Sequence, residues 1–331
     1  MNKKVLITGG AGFIGLHLAK RLLDEGYAVD LADNFSRAID DDNLKETLQR
    51  KRTRLLFVDL LDINSVKALD ADYDLIFHLA AIIGVTHVLK KPFKVLNDNV
   101  QMLVNVINLA RKQSRLSRMF FSSTSEVYSG TLNYFELPIP TPETAPLTVS
   151  NLSYPRTSYM LSKIYGEALC HQSEIPFTLF RPHNIYGPRM GMAHIIPEQL
   201  QKSYYAKDGE SIPVYSVDHT RSFCYIDDAI ELLWRMIKNN ECEGKTLNLG
   251  SQSEEVTINE VAKTCFLAVG KELKVNPLPS QSGSPLRRAP DMKLTNMLTE
   301  YKSQINLKEG ISRTYEWYKK NVFEQNNITA H

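Results

Sequence analysis

The stretch TGGAGFIG, residues 8–15, joins the apolar run KVLIT (4–8) to the amphipathic stretch FIGLHLAKRLLDEG (13–26). A strand that turns through three spaced glycines into a helix leaves few folds open. Gly9 suits a tight turn, Gly12 lets backbone approach a pyrophosphate closely, and Gly15 lets the helix lie close to its strand. The helix would open at Phe13 and Ile14, presenting free N–H groups to an anion. Glycine triplets also occur in plain turns. The strand-to-helix context at the chain start makes this one a dinucleotide-binding signal.

The rest of the first 180 residues repeats the rhythm. YAVDLAD (27–33), LLFVD (55–59), DLIFHLA (74–80), MFFSS (119–123) and FTLFR (177–181) read as buried strands, with helical patterns such as 95–113 between them. Alternation at this spacing predicts an α/β fold: a doubly wound parallel sheet covered on both faces through right-handed crossovers. Past residue 183 loops lengthen and strands shorten, which predicts a smaller carboxyl-terminal lobe. The expected division is 1–182 for the first lobe, with 222–250 returning to it, and 183–221 plus 251–325 for the second. The polar end, 326–331, reads as a frayed tail.

Bulk properties narrow the function. A chain of 331 residues with net charge +2 carries no basic field for nucleic acid and no acidic tail. MNKKVLITGG holds too short an apolar run for a signal peptide, and no stretch approaches a membrane span. Cys170, Cys224, Cys242 and Cys265 are scattered, without CxxC pairs or clustered histidines. Free thiols in a reducing cytoplasm, and no metal site, are the expectation.

Asp33 ends the second strand about twenty residues after the glycines, where a carboxylate accepts from ribose hydroxyls and repels a 2′-phosphate. NAD is therefore expected over NADP, a preference tempered by Arg37. Asn34, Asp59 with Leu60, the small HLAA segment (Leu79, Ala80, Ala81) and Asn99 complete the expected cofactor contacts. Asp59 reads equally as a cap for a helix over 62–69, and His78 as structural. Tyr159 and Lys163 lie four apart and so share a helix face. A lysine cation there is expected to lower the phenol's pKa and make it a base. One βα step earlier, SSTSEVY (122–128) offers Thr124 for the same substrate hydroxyl.

Taken in order, TGGAGFIG, Asp33, HLAA, SSTSEVY, Tyr159-x-x-x-Lys163 and RPHNIYGPR resemble the extended short-chain dehydrogenase/reductases, and within them the nucleotide-sugar epimerases, dehydratases and decarboxylases. The resemblance implies a Rossmann lobe holding NAD and a carboxyl-terminal lobe holding a nucleoside-diphosphate sugar. It assigns Asn184, Arg189, Arg221 and Arg288 to the substrate. Arg221 and Arg288 would otherwise be surface ion pairs. Helices over 95–113 and 153–173 match those that join two copies in relatives, so the resemblance implies a homodimer. His87 and His194 stand in segments expected to wall the sugar pocket.

The implied chemistry begins with oxidation at sugar C4, in which Tyr159 takes the hydroxyl proton, with cofactor reduced and re-oxidised within one turnover. A 4-epimerase is the commonest outcome in such enzymes. Ser125 stands where dTDP-glucose dehydratases carry an aspartate, and Thr124–Ser125–Glu126 resembles the uronate decarboxylases. Decarboxylation or dehydration using Glu126 is therefore the alternative, with a 4-ketosugar reductase or a non-catalytic dinucleotide sensor behind it. Glu126 itself reads either as a base or as a structural carboxylate.

Overall fold

The computed structural model describes residues 3–280 and 285–325; the tail 326–331 and the His87 side chain lie outside the described residues. Seven strands form one parallel sheet: β1 (Lys4–Thr8), β2 (Ala28–Asp33), β3 (Thr53–Phe57), β4 (Leu75–His78), β5 (Arg118–Ser122), β6 (Phe177–Pro182) and β7 (Thr246–Leu249). Their spatial order is β7-β6-β5-β4-β1-β2-β3. The order reverses beside β1, leaving a crevice at the strands' carboxyl ends, the general ligand position in such sheets.

Alternate side chains divide the strands between two cores. Val5, Ile7, Phe77, Phe120 and Phe180 face one layer, and Leu6, Ile76, Met119, Phe121 and Leu179 the other. Burial on both faces explains why these strands read as unbroken apolar runs rather than alternating ones. The Phe77 and Phe120 rings stack with centroids 4.4 Å apart, locking the register of two central strands.

β3 begins and ends two residues earlier than its apolar pattern suggested. It pairs with β2 from Val29↔Thr53 to Asp33↔Phe57, and the Val58 N–H donates to the Asp33 carbonyl. Asp59 thus falls beyond the strand. It does not cap the next helix, Ile63–Lys67; Asp62 does, accepting from the Asn64 and Ser65 amides. Asp59 instead accepts from Leu61 N at 3.0 Å, closing a local turn.

After β6 the chain leaves the sheet and later returns. The helix Ile226–Lys238 runs against the helix Phe13–Asp24, fastened by Arg21–Glu231 at 2.6 Å, and β7 then pairs with β6. The remaining carboxyl-terminal residues carry small sheets. In one, Thr220–Arg221 lies between Val256–Thr257 and Arg287–Arg288.

Candidate active site

The helix Phe13–Asp24 has Gly12 at its N-cap, without a side-chain cap or an acidic residue in its first turn. Its leading amides are left to an anion, as a phosphate cradle requires. Side-chain-free backbone is needed here. Gly9 has φ +68°, and a Cβ on it would lie 2.9 Å from Ala80 N in the HLAA segment; one on Gly15 would lie 2.4 Å from the Gly9 carbonyl. The Asp33 carboxylate accepts from Ala11 N at 3.2 Å and from Phe35 N at 2.9 Å, and burial raises its pKa. These residues fit a dinucleotide: bare amides for the pyrophosphate and, one strand over, a carboxylate for the ribose.

Other expected contacts line the same crevice. Asn34 closes a turn onto Ser36 N, and Leu60 is buried with its carbonyl held by Asn105. Leu79 N donates to the Thr8 carbonyl, continuing the ladder to the small Ala80 and Ala81. Asn99 both donates to and accepts from the Ile82 backbone and approaches Ser162 at 3.4 Å, so its amide fixes the segment after β4. His78 is buried, bonded to Thr8 at 2.8 Å and pushed down to about 3 by desolvation, a structural histidine.

Thr124 follows β5 in extended conformation and accepts from Glu126 N, opening the short helix Ser125–Tyr128. That turn buries Ser125 and leaves Glu126 at the crevice. The helix Pro155–His171 crosses above it, with the Tyr159 hydroxyl against that of Thr124. Lys163 is buried on the same helix face, its Nζ donating to the Ser122 carbonyl at 2.7 Å and lying 5.9 Å from the Tyr159 ring centre.

The electrostatics differ from the expected lysine-lowered phenol. Burial and the neighbouring Glu126 charge raise the Tyr159 pKa, against smaller downward pulls from Thr124 and Arg37. Lys163 does not lead that balance because its ammonium is turned to the strand end, and burial pushes it down to about 8.

A buried polar network stands behind these groups. Glu167, one turn past Lys163, pairs with Arg181 of β6 at 2.6 and 2.9 Å and accepts from Ser123 at 2.5 Å. Arg181 also donates to Tyr128, which donates to Asn248 of β7; His183 bonds the same Asn248 oxygen. Sequence reading passed over Glu167, Arg181 and Asn248. The available signal was a charged residue inside the apolar strand FTLFRP and a carboxylate at i+4 from the lysine.

The substrate-side residues divide. Asn184, at φ +43°, donates to the Ser222 carbonyl. Arg221 donates to the Thr220, Pro285 and Leu286 carbonyls and, through burial and the adjacent Arg288 charge, falls to about 10. Arg288 lies close enough to Glu126 and Arg156 for their charges to act on it, and its buried Nε has no partner among the described residues. The two neighbouring guanidiniums form a cationic wall that favours an anion, and the buried Ser222 hydroxyl has no partner among the described residues. Arg189 is different: its donors go to Asp41 and to the Ala11, Gly12 and Ile39 carbonyls, so it belongs to the glycine-rich loop rather than to that wall. His194 precedes the helix Ile195–Tyr205, and burial lowers its pKa. No group of three or more metal-ligating side chains exists among the described residues, all four cysteines are buried and free, and no described helix is long and apolar enough to cross a membrane.

Residues 5–250 match the model of the NAD dependent epimerase/dehydratase family. Over 96% of its length the chain is 30% identical to a UDP-N-acetyl-alpha-D-glucosaminuronate decarboxylase of Bacillus cytotoxicus, covering 98% of that protein. It is 28% identical to UDP-glucuronic acid decarboxylase 1 of Xenopus tropicalis, over 98% of this chain and 74% of the other. Among solved structures, the UDP-glucuronic acid 4-epimerase of Bacillus cereus, in complex with UDP-glucuronic acid and NAD, superposes with a TM-score of 0.79 at 26% identity, covering 96% of this chain and 99% of that one. Cradle, sheet order and family match agree: the chain belongs to the NAD-dependent epimerase/dehydratase family, in the nucleotide-sugar group of the extended short-chain dehydrogenase/reductases.

Proposed function

We propose that this enzyme removes the C6 carboxylate of a UDP-uronate after oxidising C4. The observation that carries the reading is Arg288, a half-buried arginine whose buried Nε has no partner among the described residues, close enough to Glu126 for its charge to act on it, as that charge also acts on Tyr159. A carboxylate on the sugar would supply the acceptor that the Arg288 Nε lacks, and Glu126 would orient the fork. The Arg221 side of the wall would take the diphosphate.

Thr124 and Tyr159 would hold the C4 oxygen between two hydroxyls, and Tyr159 would take its proton. Bound NAD would accept the C4 hydride and later return it, and its cationic ring would favour the phenolate. A ketone at C4 is β to the C6 carboxylate. The C5–C6 bond then breaks with its electron pair passing into the C4 enolate, CO2 leaves, and a solvent proton enters at C5. Lys163 anchors the strand end that carries Thr124, so both hydroxyls keep their spacing throughout.

A second reading, 4-epimerisation of the same uronate, is supported by the 26% identical epimerase structure, which holds UDP-glucuronic acid and NAD. The first step is the same in both. Incubation with NAD and UDP-glucuronate or its N-acetylglucosamine counterpart separates them by mass spectrometry together with proton NMR, whose ring coupling constants report the configuration at C4. A product lighter by one CO2 supports decarboxylation, an isobaric C4 epimer supports the second reading, and unchanged substrate overturns both. We read the exposed Phe93, Tyr154 and Tyr165, on or beside the helices Pro92–Ala110 and Pro155–His171, as the contact of a homodimer; a monomer mass by light scattering would refute it.

A further inference from the structure

We infer that Arg189 and Asp41 form a clamp that preorganises the phosphate cradle and retains NAD through the turnover. Arg189 lies 178 residues from the glycine-rich loop yet donates to the Ala11 carbonyl at 3.0 Å and approaches that of Gly12 at 3.5 Å. The other edge of its fork meets the Asp41 carboxylate at 2.6 and 3.1 Å and the Ile39 carbonyl at 3.0 Å. The Arg189 side chain is only 6% exposed. One buried cation therefore joins two loops: the turn that receives the pyrophosphate and the segment that follows the ribose carboxylate Asp33.

The backbone is committed to this placement. Arg189 holds φ +67°, a left-handed conformation that costs a non-glycine residue free energy and persists only where its surroundings demand it. The demand is visible on both sides. His17, in the helix after the cradle, bonds the Pro188 carbonyl at 3.1 Å, and the Tyr318 hydroxyl donates to the Met190 carbonyl.

A trans peptide fixes its N–H opposite its carbonyl. Holding the Ala11 and Gly12 carbonyls thus also orients the Gly12 amide, which closes the turn onto the Gly9 carbonyl at 3.1 Å, and the Phe13 amide, which opens the helix. An arginine suits the task because its planar fork satisfies several acceptors at once, whereas a lysine supplies a single point charge. Retention matters for this chemistry: a cofactor that leaves after accepting hydride strands the sugar as a ketone. Arg189 is a positioning residue, and its role rests on the family's use of NAD and not on which sugar reaction follows.

The test is NAD binding without sugar, by isothermal titration calorimetry on Arg189→Lys and Asp41→Asn, with Arg50→Lys as a control. The control makes the same exchange of fork for point charge at an ion pair of the same 2.6 Å length, to Asp24, at the far end of the helix that opens at the cradle. Loss of charge-assisted bonds should weaken NAD binding about tenfold or more in both test variants and leave the control unchanged. The NAD that survives gel filtration should fall in parallel. Asp41→Asn keeps the arginine and its carbonyl bonds, so it remains informative if Arg189→Lys folds poorly. An NAD affinity within twofold of the parent in Asp41→Asn, or an equal loss in the control, would overturn the clamp.

Discussion

Replacing Glu167 by glutamine should cost this protein more stability than any conservative change at its surface. The carboxylate takes two bonds from Arg181 and one from Ser123, and the paired side chains are only 5% and 7% exposed. An amide of the same shape keeps one oxygen but turns an NH2 group towards an arginine N–H, donor against donor. Arg181 cannot shed its charge, so it stays cationic and buried beside a neutral partner. Hydrogen bonds to charged groups are worth about 1.5–3 kcal/mol each, and breaking a buried pair from one side costs about 3–5 kcal/mol. With an m-value of about 3 kcal/mol/M, the urea midpoint should fall by about 1–1.7 M. The double variant Glu167→Leu with Arg181→Met removes both charges and should recover much of the loss, because no ion is left unpaired. A Glu167→Gln midpoint within about 0.3 M of the parent would refute the argument, since solvent must then reach the pair.

Tyr159→Phe retains ring and fold but loses the hydroxyl that faces Thr124. It should lower kcat by about 10²–10⁴ while NAD still binds by calorimetry, and an unchanged kcat would exclude the tyrosine as base. Burial holds His78 and His183 at about 3 and His17 at about 4. Between those values and the unfolded pKa of about 6.5, the unfolded chain binds protons that the folded one refuses. Stability should therefore fall as pH drops from 6.5 towards 4, each histidine adding up to about 1.4 kcal/mol per pH unit; His78→Asn should flatten the slope seen in urea titrations.

Strands buried on both faces are continuous apolar runs, which is why five of the seven sheet strands could be read almost to the residue, while β7, short and far along the chain, was not singled out as a strand. The third slipped because its boundary is set by pairing with β2, a nonlocal fact. The glycine spacing and the Tyr159–Lys163 interval were legible because each is a local geometry. The direction of the Lys163 ammonium was not, since it depends on a carbonyl 41 residues away. Arg189 shows the same limit: an arginine beside YGP in sequence reads as substrate-facing, and only the folded chain brings Asp41 and the Ala11 carbonyl to it. The Arg288–Glu126 juxtaposition likewise joins residues far apart in the sequence.

The return of β7 to the sheet has a consequence for how the chain must be made. Until residues 246–249 arrive, β6 stands as a sheet edge with the hydrogen-bonding groups on the outer side of FTLFRP unmet, and Asn248 is missing from beside Tyr128 and His183. A nascent chain leaving the ribosome amino end first therefore carries a sticky, incomplete sheet through some sixty residues of further synthesis, the interval in which chaperones would be needed most. The family match ends at residue 250, one position beyond the strand that closes this exposed edge.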